Sequence, residues 1–408
     1  MGSRCAARGR HGKMVRRAML YLDHAATAPP LPEALEAFAR AARDAYANPG
    51  SLHGLGAQAA RALEEARGEL KRAMGARGYR VVLTATGTEA NDLGIRGLAR
   101  AVKSKVERAS GKPARVLVSS IEHPCSLLPA RALAEEGFVV EEIAPDAAGV
   151  VRVEALQDRL DRDVALVSLH WANNELGSLL PIAELVQQTR AVAPHAVFHT
   201  DAVQAAGKRA ESFDSLGADS IAIAAHKFGG VRGCAALFLR EGAPEPLPLS
   251  LGGGHEGGLR SGTENVMGAV AMAAAAGVRR ARLSQDRRCY LDRRAKLLAS
   301  LREAAPDAVV VGPQREEVCL GSILSIAFPG TVAETLLHLL EAEGIACGSG
   351  SACSSHGHGH TESAILTAIE LPRELRNSVL RFSLDGTESD TELAAVGTAL
   401  SRALERLR

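Results

Sequence analysis

The sequence predicts an α/β protein in which a large domain with a mostly parallel sheet is joined to a smaller α+β C-terminal domain. Three observations lead there. Short apolar runs alternate with helical patterns between residues 79 and 239, which implies parallel strands covered by helices. Polar residues recur just after those runs, at the sheet edge where such folds bind ligands. The chain has 408 residues, 46% hydrophobic and 23% charged, enough for two cores.

Residues 1–18 hold Arg4, Arg8, Arg10, Lys13, Arg16 and Arg17 and no acid. Without the apolar core of a secretory signal, this stretch reads as a basic, disordered leader, or as a start placed ahead of Met14 or Met19. Its six charges exceed the net charge of +1, so the rest of the chain is mildly acidic, which argues against nucleic acid as the main ligand. No apolar run is long enough to span a membrane. Seven cysteines, scattered and without CxxC pairs, indicate a reduced, cytoplasmic protein.

In chain order, residues 21–30 form a short extended segment closed by Pro29 and Pro30, and a helical pattern follows over 32–46. Asn48-Pro49-Gly50-Ser51 breaks the chain before an amphipathic helix over 56–74, with Leu63, Ala66, Leu70 and Ala73 on one face. Residues 79–84 are a strand. Thr86-Gly87-Thr88 then opens a helix whose first N–H groups and hydroxyls suit an anion such as a phosphate, although Thr is also an ordinary N-cap and most such turns bind nothing. Further strands are expected at 115–119, 138–142, 164–169, 196–200, 220–223 and 234–239, with helices after Pro124 and Pro181. The run 252–258 contains GxGxxG but follows a proline-rich loop outside any βαβ unit, so it is not read as a dinucleotide site. A long helix over 264–301 connects the large domain (32–270) to a small one (19–31 and 271–408). The small domain holds a strand at 322–328, a helix at 332–343, a cysteine loop at 348–361, a strand at 378–383 and a last helix from residue 389.

The chemistry centres on Lys227. Lysine is scarce, eight against forty arginines, and Lys227 alone directly ends a buried-looking strand. A partly desolvated amine there suits Schiff-base chemistry with an aldehyde. Asp201 ends the preceding strand, with Gln204 three residues on. An aspartate for a pyridinium nitrogen and a lysine for an aldehyde are what pyridoxal 5'-phosphate needs. A lone Asp/Lys pair would more often be a salt bridge; His123, Asn173, Asn174 and Glu175 at neighbouring strand ends favour the cofactor. His356, His358 and His360 alternate with glycines in a flexible stretch, which reads as adventitious metal affinity and not a metal site.

These pieces together resemble the cysteine desulfurases, fold-type I pyridoxal-phosphate enzymes of the class V aminotransferase group, in the type with a long mobile cysteine loop. The likeness rests on Tyr21-Leu22-Asp23-His24-Ala25-Ala26-Thr27, Asn48-Pro49, Gly87-Thr88-Glu89, Glu122-His123, Asn173-Asn174-Glu175, Asp201-Ala202-Val203-Gln204, His226-Lys227, Arg260-Ser261-Gly262-Thr263, Ser349-Gly350-Ser351-Ala352-Cys353 and Arg381-Phe382-Ser383, in that order over nearly the whole chain. It implies conversion of L-cysteine to L-alanine with sulfur passing to Cys353 as a persulfide, for a sulfur acceptor such as an iron–sulfur scaffold protein. It also implies a homodimer.

By the same resemblance Lys227 carries the cofactor and moves protons at the substrate Cα. Asp201 pairs with the ring nitrogen and Gln204 with the ring hydroxyl, while His123 stacks on the ring. Thr88 and His226 bind the phosphate, with Thr263 reaching from a second subunit. Asn48, Asn174 and Arg381 receive the substrate carboxylate, and Asn174 also lies against the cofactor. His356 is a candidate base for the Cys353 thiol. Cys347, with apolar neighbours, reads as a buried thiol. Two positions depart from the family pattern: Ala224 stands where a phosphate-binding serine is usual, and Gly257 where an arginine is usual. The competing readings are a selenocysteine lyase or aminotransferase of the same fold, and a non-enzymatic metal-binding scaffold.

Overall fold

The computed structural model describes residues 19–349 and 363–407, with the side chains of residues 284–287 excepted. A two-residue strand β1 (Leu20–Tyr21) comes first. The main sheet takes β2 (Tyr79–Thr84), β3 (Arg115–Ser119), β4 (Val139–Ile143), β5 (Val164–Ser168), β6 (Val197–Asp201), β7 (Ser220–Ala224) and β8 (Ala235–Arg240) in the order β2-β8-β7-β6-β5-β3-β4. β3 to β7 pair in parallel, and β8 runs antiparallel to both β2 and β7. Six strands therefore end at one edge. β5, β6 and β7 are buried along their whole length, as strands covered on both faces must be, which is why they read as continuous apolar runs.

A second sheet is antiparallel and contains β9 (Val309–Val311), β10 (Ile323–Ala327), β12 (Gly348–Ser349) and β13 (Val379–Ser383), in the order β12-β13-β10-β9. β1 pairs in parallel with β11 (Ile345–Ala346), and Asp23 bridges to Ser383, so the N-terminal segment runs beside this sheet.

Helices α1 (Pro32–Asp44) and α2 (Gly54–Met74) pack on the long helix Val266–Ala304. The contacts are made of small residues, Ala34, Ala37 and Ala41 on α1, Ala59 and Ala66 on α2, and Ala269, Ala273 and Ala276 on the long helix, which lets the axes come close. The same helix buries Tyr290, Leu297 and Leu301 in the core of the second sheet, so it joins two hydrophobic clusters. There it meets the C-terminal helix Asp390–Leu407; a Cβ on Gly397 would lie 2.3 Å from the Ser300 carbonyl oxygen, so only glycine fits. No helix of the described residues is long and apolar enough to cross a membrane.

Candidate active site

The common edge of the six strands collects the polar residues singled out above. β6 ends in Asp201, whose Oδ1 accepts the Val203 N–H at 2.8 Å and whose Oδ2 accepts from Asn91 Nδ2 at 2.8 Å. Asn91 lies on α3 (Gly87–Asp92), the helix after β2, where Thr86 is the N-cap and takes the Glu89 N–H at 3.1 Å. Thr88 is exposed in the first turn, beside N–H groups that have no acceptor within the helix. The Glu89 carboxylate turns back to the Ala85 N–H at 2.6 Å and accepts from Arg260 Nε at 2.7 Å, tying the glycine loop to this turn.

After β7 a short 3-10 turn, Ala225–Lys227, presents His226 and Lys227. Lys227 Nζ donates to the Ala25 and Ala26 carbonyls at 2.7 and 2.9 Å. Gln204 Nε2 donates to the same Ala25 oxygen at 2.9 Å, and Lys208 Nζ donates to Gln204 Oε1 at 3.4 Å. Lys208 is fully enclosed, and burial, with Lys227 and Arg279 nearby, pushes its pKa down to about 7. His226 Nδ1 lies 3.1 Å from the Thr27 hydroxyl, and burial with the charges of Lys227 and Arg232 pushes its pKa down to about 4. His226, Thr27, Tyr21 and Arg232 line a cleft of about 440 Å³.

His123 caps the helix Pro124–Ala132, its Nδ1 accepting the Cys125 N–H at 3.1 Å, so the neutral ring carries its proton on Nε2. Burial lowers its pKa; Asp201 pulls upward and Lys227 pushes down. After β5, Asn173 Oδ1 holds the Glu175 and Leu176 N–H groups at 2.9 Å, a turn that exposes the Asn174 carbonyl to Arg381 Nη1 at 3.1 Å. Arg381, on β13, also pairs through Nη2 with Asp23 Oδ1 at 2.8 Å, while its buried Nε has no partner among the described residues. Glu175 is buried and accepts from Ser363 Oγ at 2.9 Å, and burial pushes its carboxyl up to about 7.

The structure thus brings Lys227, Asp201, Gln204 and His226 together directly or through shared partners, and joins Asn174 to Arg381. Asn48 and Thr263 are exposed, and among the described residues no hydrogen bond ties either to this group. Cys353, His356, His358 and His360 lie outside the described residues. Cys347 is buried, and burial together with Asp23 pushes its thiol up to about 12, unfit for a nucleophile at neutral pH. Asp23, Asn91 and Thr27 also contribute contacts that the sequence reading left without a role.

The family model described as Aminotransferase class-V matches residues 20–396. The cysteine desulfurase IscS of Dictyoglomus turgidum is 33% identical over 389 residues, covering 95% of this chain and 95% of its own. The chain belongs to the cysteine desulfurase family of class V aminotransferases. An IscS-like cysteine desulfurase of Mycobacterium tuberculosis is 36% identical over 403 residues, covering 96% and 97% of the two chains. The solved structure of a NifS-like protein superposes with a TM-score of 0.85 at 29% identity, covering 95% of this chain and 100% of that one. The family is pyridoxal-phosphate-dependent, and its fold accounts for the parallel sheet with a smaller antiparallel one.

Proposed function

We propose that this chain converts L-cysteine to L-alanine and takes the sulfur on Cys353 as a persulfide, for delivery to an acceptor such as an iron–sulfur scaffold protein. The observation that carries the reading is the placement of Lys227 and Asp201 at adjacent strand ends, with Gln204 and Lys227 sharing the Ala25 carbonyl. The donor set fits pyridoxal 5'-phosphate: an amine for its aldehyde, a fixed carboxylate for its ring nitrogen, and an α3 N-terminus with Thr88 and His226 for its phosphate. When bound, the cofactor withdraws electrons from the substrate Cα and so allows a proton to leave there and the C–S bond to break.

The remaining steps belong to the protein. Gln204 has one amide hydrogen on Ala25 and offers the other to the ring hydroxyl. Neutral His123 covers the ring face and holds a proton on Nε2 for transfer. Lys227, anchored by two carbonyls, moves the Cα proton. Arg381, held in place by Asp23 and the Asn174 carbonyl, offers its guanidinium fork to the substrate carboxylate. Asn48 and the Asn174 side chain complete that pocket. The reaction balances as L-cysteine plus a protein thiol giving L-alanine plus a protein persulfide, with no external oxidant.

A homodimer follows from the same reading, with Thr263 entering the partner's phosphate site. Leu52, four residues from Asn48, and Leu251, on the loop leading to Thr263, are bare apolar side chains that an interface would cover. We place the protein in the cytoplasm on its cysteine usage. The test is product analysis: purified protein with pyridoxal phosphate, L-cysteine and a thiol reductant should release alanine. Release of selenide from selenocysteine without alanine from cysteine, or transfer of the amino group to a keto acid, would replace this reading.

A further inference from the structure

β6 carries two titratable side chains on one face, His199 and Asp201. Asn91 bridges them. Its Nδ2 donates to Asp201 Oδ2 at 2.8 Å, and its Oδ1 lies 2.9 Å from His199 Nε2; His199 Nδ1 lies 2.7 Å from the Ser220 hydroxyl on β7. His199, Asn91 and Ser220 are each 0% exposed.

Hydrogen-bond chemistry settles every direction in this chain. A carboxylate only accepts, so the amide nitrogen of Asn91 must face Asp201 and the amide oxygen must face His199. The hydrogen of His199 therefore sits on Nε2. Burial, against the pull of Asp201, pushes the His199 pKa down to about 4, so the ring is neutral and Nδ1 accepts from the Ser220 hydroxyl. Ser220, His199 and Asn91 all donate the same way, toward the carboxylate. With the Val203 N–H on Oδ1, each Asp201 oxygen holds one strong donor and keeps lone pairs for a third group.

The seat of His199 is shaped for it. A Cβ on Gly94 would lie 2.5 Å from both Cε1 and Nδ1 of the ring, and Gly94 sits in a π-helical turn, Leu93–Gly97, that follows α3 directly. An apolar trio would fill this space without the cost of desolvating three polar groups, so the arrangement calls for a purpose beyond packing. The other titratable groups facing Asp201 are His123, Cys125 and His170. Burial keeps His123 neutral and pushes the Cys125 thiol up. In His170 burial opposes protonation, and Glu122, 2.7 Å away, outweighs it.

We infer that Asn91 and His199 are positioning residues that fix the Asp201 carboxylate as an oriented acceptor for the cofactor's ring nitrogen, with Ser220 setting the His199 tautomer. This rests on the pairing of Asp201 with that nitrogen proposed above.

The test reconstitutes the apo-forms of the wild type, Asn91→Leu, His199→Phe, His199→Gln and Asp201→Asn with pyridoxal phosphate. It reads the cofactor dissociation constant and the pH midpoint of the bound cofactor's visible absorption, beside thermal unfolding of each apo-protein. Asn91→Leu removes a hydrogen bond to the charged Asp201 and should bind the cofactor about ten-fold more weakly, His199→Phe removes the neutral hydrogen bond behind it and should cost about two- to ten-fold, and both should shift the midpoint. His199→Gln keeps an N–H for Asn91 and should recover most of the loss. If Asn91→Leu does not fold, the two His199 variants decide. Wild-type affinity and midpoint in folded His199→Phe, or equal losses in His199→Phe and His199→Gln, overturn the inference. Asp201→Asn separates the two levels: if it leaves affinity and midpoint unchanged, the ring-nitrogen pairing itself fails.

Discussion

Replacing Gly348 by alanine should weaken the hold on the substrate carboxylate without touching the chemistry. Gly348 on β12 pairs in register with Arg381 on β13, and a Cβ there would lie 2.9 Å from Arg381 Nη2 and 2.9 Å from Asp23 Oδ1. Carbon needs about 3.5 Å from such neighbours, so one of them must retreat by about half an ångström. The guanidinium has little room to do so: its side chain is 4% exposed and pinned by Asp23 on one arm and the Asn174 carbonyl on the other. The methyl group therefore pries the Asp23 pair apart and turns the fork. Losing or misaligning one charge-assisted hydrogen bond costs about 1.5–3 kcal/mol, or a roughly ten-fold or greater rise in KM for L-cysteine. Because the carboxylate is held alike before and during bond breaking, kcat should change much less. Steady-state alanine release, on protein with wild-type cofactor content, reads both constants. An unchanged KM, or a fall in kcat at constant KM, would refute the assignment of Arg381 and its supports to carboxylate binding.

Two further outcomes follow from the geometry. Ala224 ends β7 with its Cβ 3.3 Å from where a Cβ on Gly87 would stand, at the mouth of α3; Ala224→Ser adds a hydroxyl there and should slow pyridoxal-phosphate release about three- to ten-fold, while unchanged or faster release in a dialysis assay counts against a phosphate at that helix end. Glu175 binds its proton more tightly folded, at about 7, than at its ordinary 4.5, so its contribution to stability falls as pH rises through that interval. Glu175→Gln should then gain stability relative to the wild type between pH 5 and pH 8, by up to about 3 kcal/mol in urea unfolding; a difference that stays constant with pH would mean the carboxyl is not held protonated.

The strands that anchor the site were legible because they are buried on both faces. β2 and β3 have the expected bounds, and the long helix spans Val266–Ala304 against an expected 264–301. The reversed direction of β8 was not legible, since a buried strand has the same composition whichever way it runs. β1 is two residues long and carries no periodicity; its place depends on β11, more than three hundred residues away. The π-helical turn at Leu93–Gly97 breaks no residue preference and shows only once His199 is seated against Gly94.

In the site itself, Lys227, Asp201, Gln204 and His226 could be picked out because they follow apolar runs directly. Their supports could not. The Ala25 carbonyl that receives both Lys227 and Gln204 is backbone and leaves no mark in the sequence. Asp23 and Arg381 meet across 358 positions, and Glu256, in what read as a plain glycine loop, turns back to accept from the Leu83 N–H at 2.9 Å and from Arg67 at 2.6 Å. Long-range partners of this kind are set by topology, which local patterns do not encode.

The most direct test of the central claim is a single turnover with L-cysteine in the absence of reductant, followed by mass analysis of the peptide carrying Cys353 and quantification of alanine. The account predicts one added sulfur atom on Cys353 for each alanine formed, and neither product from Cys353→Ala, which should still take up pyridoxal phosphate. Alanine and full sulfur release from Cys353→Ala at the wild-type rate, or sulfur found on Cys347 in place of Cys353, would contradict it.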